Sequence, residues 1–200
     1  MVVTMAALGF PGVASPVMAS PEAQKFVDTL VNGGISQLTT QDISDAERNE
    51  RFRKIFRANF DVEAIARFVV GARHWKTSTE AQQKEYLGLF EDITVLTWAK
   101  RFKEYSGPLP EVGTAEPADA NGVISVPSKV YIPNSQPVIL IWRVRSSSEI
   151  KVIDMVVEGV SMALTQQNDY RSILEREKMA GLITALTNKR EQMMAGQTKK

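Results

Sequence analysis

The segment Gly159-Val-Ser161-Met-Ala163 sets a serine between small residues directly after a strand-like run, the way a nucleophile elbow exposes a catalytic hydroxyl. Such a serine needs a base, and the chain holds one histidine, His74. His74 lies upstream, whereas α/β-hydrolases place their histidine after the serine, and no parallel βαβ units surround the motif. Asp154 and Glu158 share parity on an extended strand, about 13 Å apart at ~3.3 Å per residue. That separation is too wide for a glycosidase pair, so both are expected to pair with Arg143, Arg145 or Lys151. His74 has no partners at metal-ligand spacing, no Walker loop or dinucleotide fingerprint occurs, and cysteine is absent. The reading is therefore of a protein that is not an enzyme, with no catalytic residues, no metal and no cofactor.

The elements that must carry these residues fit one domain. The chain has 200 residues, 44% hydrophobic and 24% charged, which is ordinary globular usage. Lys and Arg number 24 against 23 Asp and Glu, so no net field gathers nucleic acid, and nucleic acid is not expected as a partner. Residues 1–19 read as a signal peptide: no charge precedes Glu22, and Val17-Met-Ala19 offers a small-residue site with cleavage after Ala19. Pro11 and Pro16 break the apolar run well short of the ~20 residues needed to span a bilayer. Residues 20–190 are expected to form the single domain and residues 191–200 a polar tail.

Helical spacing occupies residues 21 to about 105. Pro21 opens a helix that Gly33-Gly34 is expected to end. Asp42 or Ser44 caps a helix bearing Phe52, Ile55, Phe56 and Phe60, and Asp61 starts a short one ending at Gly71. Thr77-Ser78-Thr79 precedes a helix of some 25 residues with Tyr86, Leu87, Phe90, Ile93, Leu96 and Trp98 or Phe102 on its apolar stripe. Asp119-Ala-Asn121-Gly122 is a turn, and strands follow at 123–126, 129–132, 138–145 and 150–157, rich in β-branched and aromatic residues. After Gly159, spacing over 166–189 predicts a closing helix pair or bent helix. The fold class is α+β: helices wrapped over one face of a curved antiparallel sheet of about four strands.

Aromatic side chains are plentiful on the helices, at Phe52, Phe56, Phe60, Phe68, Phe90 and Phe102, and such stripes are normally packing. Two longer matches alter that reading. Phe60-Asp-Val-Glu-Ala-Ile-Ala-Arg-Phe-Val-Val-Gly71, followed by Trp75, Thr77-Ser78 and Gln82 to Phe90, resembles the helix pair of the MlaC/toluene-tolerance family of ABC-transporter auxiliary proteins. Val152-Ile-Asp154-Met-Val-Val-Glu158-Gly159-Val-Ser161 is similar to that family's strand and turn, and Gln167 to Leu174 to the helix after it.

The resemblance, over about residues 22–190, implies a periplasmic carrier that shuttles phospholipid between an outer-membrane lipoprotein complex and an inner-membrane ABC transporter. One branch of the family is associated with hopanoid lipids. Helices and sheet would then stand apart around an apolar cavity. Phe60, Ile65, Phe68, Val69, Phe90, Ile93, Ile139, Ile141, Val152, Val156 and Val160 are the wall candidates, chosen for apolar character on the matched segments. Two other readings stay open: a binder of hopanoid or another apolar ligand, and an enzyme of the cone-shaped α+β type.

Overall fold

A computed structural model describes residues 20–198; the segment read as a signal peptide lies outside the described residues. Helix α1 (Pro21–Leu38) begins where the Ser20 hydroxyl accepts from the Ala23 amide, 3.3 Å away. It does not stop at Gly33-Gly34, as the sequence suggested. Ile35 and Leu38 continue the stripe of Val27, Leu30 and Val31, and burying Leu38 offsets the ~1 kcal/mol that a glycine costs a helix. Helix α2 (Asp45–Asn59), capped by Ser44, holds the end of α1. The Arg48 guanidinium, 2% exposed, donates to the Leu38 and Thr40 carbonyls, and Arg51 to the Gln37 carbonyl at 3.0 Å. Cations here also oppose the negative end of the helix dipole.

Phe60 leaves α2 in extended conformation and bridges Val152, and the Asp61 amide donates to the Val152 carbonyl at 2.9 Å. Asp61 then caps α3 (Val62–Val70). Gly71, with φ of 81°, turns the chain directly into a short helix that the sequence did not announce, α4 (Ala72–Thr77).

Helix α5 (Glu80–Glu104) starts with a Thr79/Gln82 capping box. Its buried residues Tyr86, Leu89, Phe90, Ile93, Val95, Leu96 and Ala99 cover more than the single stripe expected, because α5 is packed by α2 on one side and the last helix, α6 (Met162–Thr198), on another. The Tyr86 hydroxyl, fully buried, donates to the Ala66 carbonyl at 2.9 Å and ties α5 to α3.

The sheet is an antiparallel meander in the order β1 (Glu111–Val112), β2 (Val123–Val130), β3 (Val138–Ser146), β4 (Ile150–Val157), β5 (Val160–Ser161). Five strands replace the four expected. The run 123–126 and the first half of 129–132 fuse into β2 across Pro127, which is opposite Ile141, while Tyr131 and Ile132 lie beyond the strand. The Pro127 carbonyl accepts from the Gly113 amide at 2.9 Å. Its missing N–H therefore faces the short edge strand β1, where a proline costs the sheet no central hydrogen bond. Strands β1 and β5 are two residues each, too short to leave a periodic signal.

Two apolar clusters fill the body. One lies among α2, α3, α5 and α6, the other between α1 and the sheet, and Ile55 and Phe60 pack against both. A bulge between Arg143 and Val144 shifts the pairing of β4, so that Val152 opposes Val144 while Met155 opposes Trp142.

Glu158 (φ 48°) and Gly159 (φ 81°) make the two-residue turn into β5, a hairpin geometry that requires positive φ. The Ser161 hydroxyl donates to Asp154 at 2.7 Å and accepts from the Leu164 amide at 3.1 Å. The other Asp154 oxygen accepts from the Ala163 amide at 3.1 Å. Asp154 also pairs with Arg143 at 3.6 Å, one of the partners read from the sequence. These residues together cap α6.

Helix α6 bends at Lys178, whose φ is 59°. There Gly181 approaches Glu177 so closely that a Cβ would lie 2.2 Å from the Glu177 Cβ. The stretch 191–198, read as a polar tail, is the last part of α6, and Met193 packs on the helical core. An ion-pair network joins three helices. Arg53 and Arg57 of α2 bind Glu91 of α5, Arg53 binds Asp92 at 2.9 Å, and Arg190 of α6 reaches Asp92 at 3.4 Å. Burial alone would raise the Glu91 carboxyl, but hydrogen bonds from Arg57 and Arg53 outweigh it and hold the group below the usual range.

Two outcomes follow from these contacts. Ser161→Ala should lower stability in urea unfolding by about 1 kcal/mol, the worth of an N-cap. The Glu91 contribution is complete above the unfolded carboxylate value and is lost as pH falls through the lower folded value. Arg53→Met should therefore destabilise by roughly 1–3 kcal/mol at neutral pH, with a deficit that shrinks as unfolding is measured in increasingly acid buffer.

Candidate functional site

Two of the groups that suggested chemistry, Ser161 and Glu158, are engaged in structural hydrogen bonds. The Ser161 hydroxyl is held by Asp154 and the Leu164 amide. His74 is half-buried on α4, where burial first, then Arg73 and Lys178, lower its pKa. Glu158 accepts from the Ile139 amide in the β4–β5 turn. Among the described residues no group of three His, Cys, Asp or Glu is placed to hold a metal ion.

The site with a distinct shape is an apolar cavity of about 340 Å³ between helices and sheet. Leu30, Val31, Gly34, Ile35 and Leu38 of α1 form one side, and Leu140, Trp142 and Met155 of the sheet form the opposite one. Phe52, Ile55 and Phe56 of α2, then Phe60, close the inner end. Thr94, Trp98, Arg101 and Phe102 of α5 lead outward to Tyr105, Pro110 and Ile132, and the exposed Arg101 and Ile132 mark the open end.

A run of rings holds this space open. Phe102 meets Phe52 at 5.7 Å between centroids, Phe52 meets Phe56 at 5.9 Å, Phe56 meets Phe60 at 4.9 Å, and Phe60 meets Trp142 at 6.4 Å. Each spacing is an ordinary aromatic contact, so the rings brace one another across α5, α2 and β3. The Trp142 indole N–H donates to the buried Ser128 hydroxyl at 2.9 Å, which satisfies both groups and fixes the ring. Gly34 faces the cavity with nothing within 4 Å of where a Cβ would stand.

The sequence-derived wall candidates fall in several places. Phe60 lines the cavity. Ile65, Val69, Phe90 and Ile93 belong to the helical core, and Val152 to the core between α1 and the sheet, bridged to Phe60. Phe68 is 51% exposed, and its carbonyl accepts from Gln167 at 2.6 Å. Since Leu140 and Trp142 face the cavity, alternation turns Ile139 and Ile141 to the other face of the sheet, and Val156 opposes Ile141 there. Val160 is on edge strand β5, 54% exposed. The wall residues not named from sequence include Trp142, Leu140 and Met155. The alternation of Leu140, Trp142 and buried Val144 was a usable signal on β3, but the bulge hid the parity of β4.

This architecture resembles that of a phospholipid-binding protein from Ralstonia solanacearum, solved in complex with a phospholipid. The TM-score is 0.71 at 22% identity, over 86% of this chain and 98% of that one. A family model described as MlaC protein matches residues 24–188, nearly the whole of the described body. The helices over an open antiparallel sheet, the cavity between them and the match along this length agree: the chain belongs to the MlaC family.

Proposed function

We propose that the protein is a nonenzymatic carrier that buries the acyl tails of a phospholipid in the cavity while it crosses the periplasm. Its partners on this reading are an outer-membrane lipoprotein complex that hands over or receives lipid and an inner-membrane ABC transporter at the other end. The observation that carries it is the ring-braced apolar cavity open at one end. The phospholipid held by the Ralstonia protein of similar fold supports it. Ser161, Asp154 and Glu158 lie outside the cavity lining and are held in capping and turn contacts. Among the described residues no helix is long and apolar enough to cross a membrane.

The energetics demand a container. Two tails of ~30 methylenes lose about 24 kcal/mol of burial in water at ~0.8 kcal/mol each, so unaided transfer is negligible. The cavity of about 340 Å³ holds roughly eleven methylenes if each takes close to the ~30 Å³ share of a liquid water. That is most of one tail. The side formed by α1 meets the sheet through apolar contacts.

The test uses native mass spectrometry of protein purified from its own cell envelope, with the released ligand identified. One two-tailed phospholipid per chain is expected; a hopanoid would assign the protein to the hopanoid-associated branch, and a chain that never carries lipid would overturn the reading. Gly34→Phe should fill the cavity from α1 and reduce bound lipid at least tenfold. Its thermal unfolding should stay near that of the parent, because the added Cβ meets nothing within 4 Å and the ring would enter the cavity.

A further inference from the structure

Arg101 is a cation on the rim of an otherwise apolar cavity, and of the described arginines it is the one that lines that cavity. Arg53, Arg57, Arg67, Arg143 and Arg190 each have a carboxylate within ion-pair distance. Arg101 has none among the described residues. Its guanidinium instead lies over the Trp98 ring, 5.0 Å from the centroid, and Trp98 is itself part of the wall. Stacking occupies the face of the guanidinium and leaves its edge, where the N–H donors are, free. One turn further along, Tyr105 lines the same opening, but its hydroxyl is spent on the Pro108 carbonyl at 2.5 Å.

We infer that Arg101 reads the phosphate of the lipid held in the cavity, so that the cargo is an anionic phosphate-bearing lipid and not a neutral amphiphile of the same tail volume. The inference rests on the carrier reading above. The chemistry is that of a planar fork of donors meeting phosphate oxygens at the edge of a low-dielectric space, where a charge-assisted hydrogen bond is stronger than in bulk water. The Trp98 ring orients the fork beforehand, which reduces the ordering cost on binding. Arg101 also lies in the last turn of α5, where a cation favours the helix dipole, but that contribution is the same with any cargo and creates no preference among lipids.

The experiment compares delipidated full-length protein with Arg101→Gln and Arg101→Lys, measuring binding of dioleoyl phosphatidylglycerol and of uncharged dioleoylglycerol with the same tails. The parent should favour the phosphatidyl lipid by roughly tenfold or more, the scale of one charged hydrogen bond. Arg101→Gln should abolish that preference by bringing the affinity for the phosphatidyl lipid down to that for dioleoylglycerol, and Arg101→Lys should restore part of it. Excess glycerol phosphate, which has the headgroup without tails, should not displace the bound lipid. An undiminished preference in Arg101→Gln, or displacement by glycerol phosphate alone, overturns the inference while leaving the carrier intact. Failure of the parent to bind either lipid overturns the carrier reading and this inference with it.

Discussion

Everything in this fold hangs on the crossing at Phe60, where the chain leaves one helix, runs extended beside β4 and enters the next. Backbone groups at the crossing have their partners: the Phe60 amide donates to the Phe56 carbonyl and the Asp61 amide to the Val152 carbonyl, both at 2.9 Å. Satisfied backbone at this edge lets the helical layer attach to the sheet at a fixed place without an open strand edge. The Phe60 ring then reaches into both apolar clusters and touches Phe56 and Trp142, so one side chain sets the spacing of α2 from β3.

An apolar space of this size has to be held open. If it were enclosed and empty, about 340 Å³ at ~24 cal/mol per Å³ would cost about 8 kcal/mol, comparable with the whole stability of a domain. Side chains fixed by contacts outside the cavity resist its collapse. Trp142 is anchored to Ser128, the phenylalanines brace one another in series, and α2 is clamped to α5 by Arg53, Arg57 and Glu91. The wall contributed by α1 has a glycine at its centre and is tied to α2 mainly at its C-terminal end, through Arg48 and Arg51. The fixed polar and ring contacts are thus concentrated on the side of the cavity formed by α2, α5 and β3.

The residues around Ser161 show how a motif can look catalytic and serve architecture. A hairpin two residues long needs positive φ at Glu158 and Gly159, and a helix starting directly after β5 leaves amides without partners. Asp154 and Ser161 supply those partners from opposite ends of the hairpin, and Arg143 supports Asp154 from the neighbouring strand. The spacing of Asp154, Glu158, Gly159 and Ser161 is the spacing such a turn and cap require.

Local determinants were legible in the chain itself. Ser44, Asp61 and the Thr79/Gln82 pair begin helices, Asp119 and Gly122 make a turn, β-branched runs form strands, and the order of helices before sheet before helix specifies an α+β fold. Phe52, Phe56, Phe60 and Phe102 could be named as aromatic supply because helical spacing alone brings Phe52 and Phe56 to one side of α2, with Phe60 following at its end. What the chain did not disclose depended on contacts distant in sequence. The extension of α1 past its glycines comes from burial of Leu38, and the fused β2 from the edge position of Pro127. Sequence period tells which residues of a strand share a face, but not which face meets the helices, and the bulge at Arg143 and Val144 breaks even that period in β4. The cavity wall was therefore decided by tertiary structure, because a single slipped residue exchanges the side of a sheet that faces a ligand for the side that faces water.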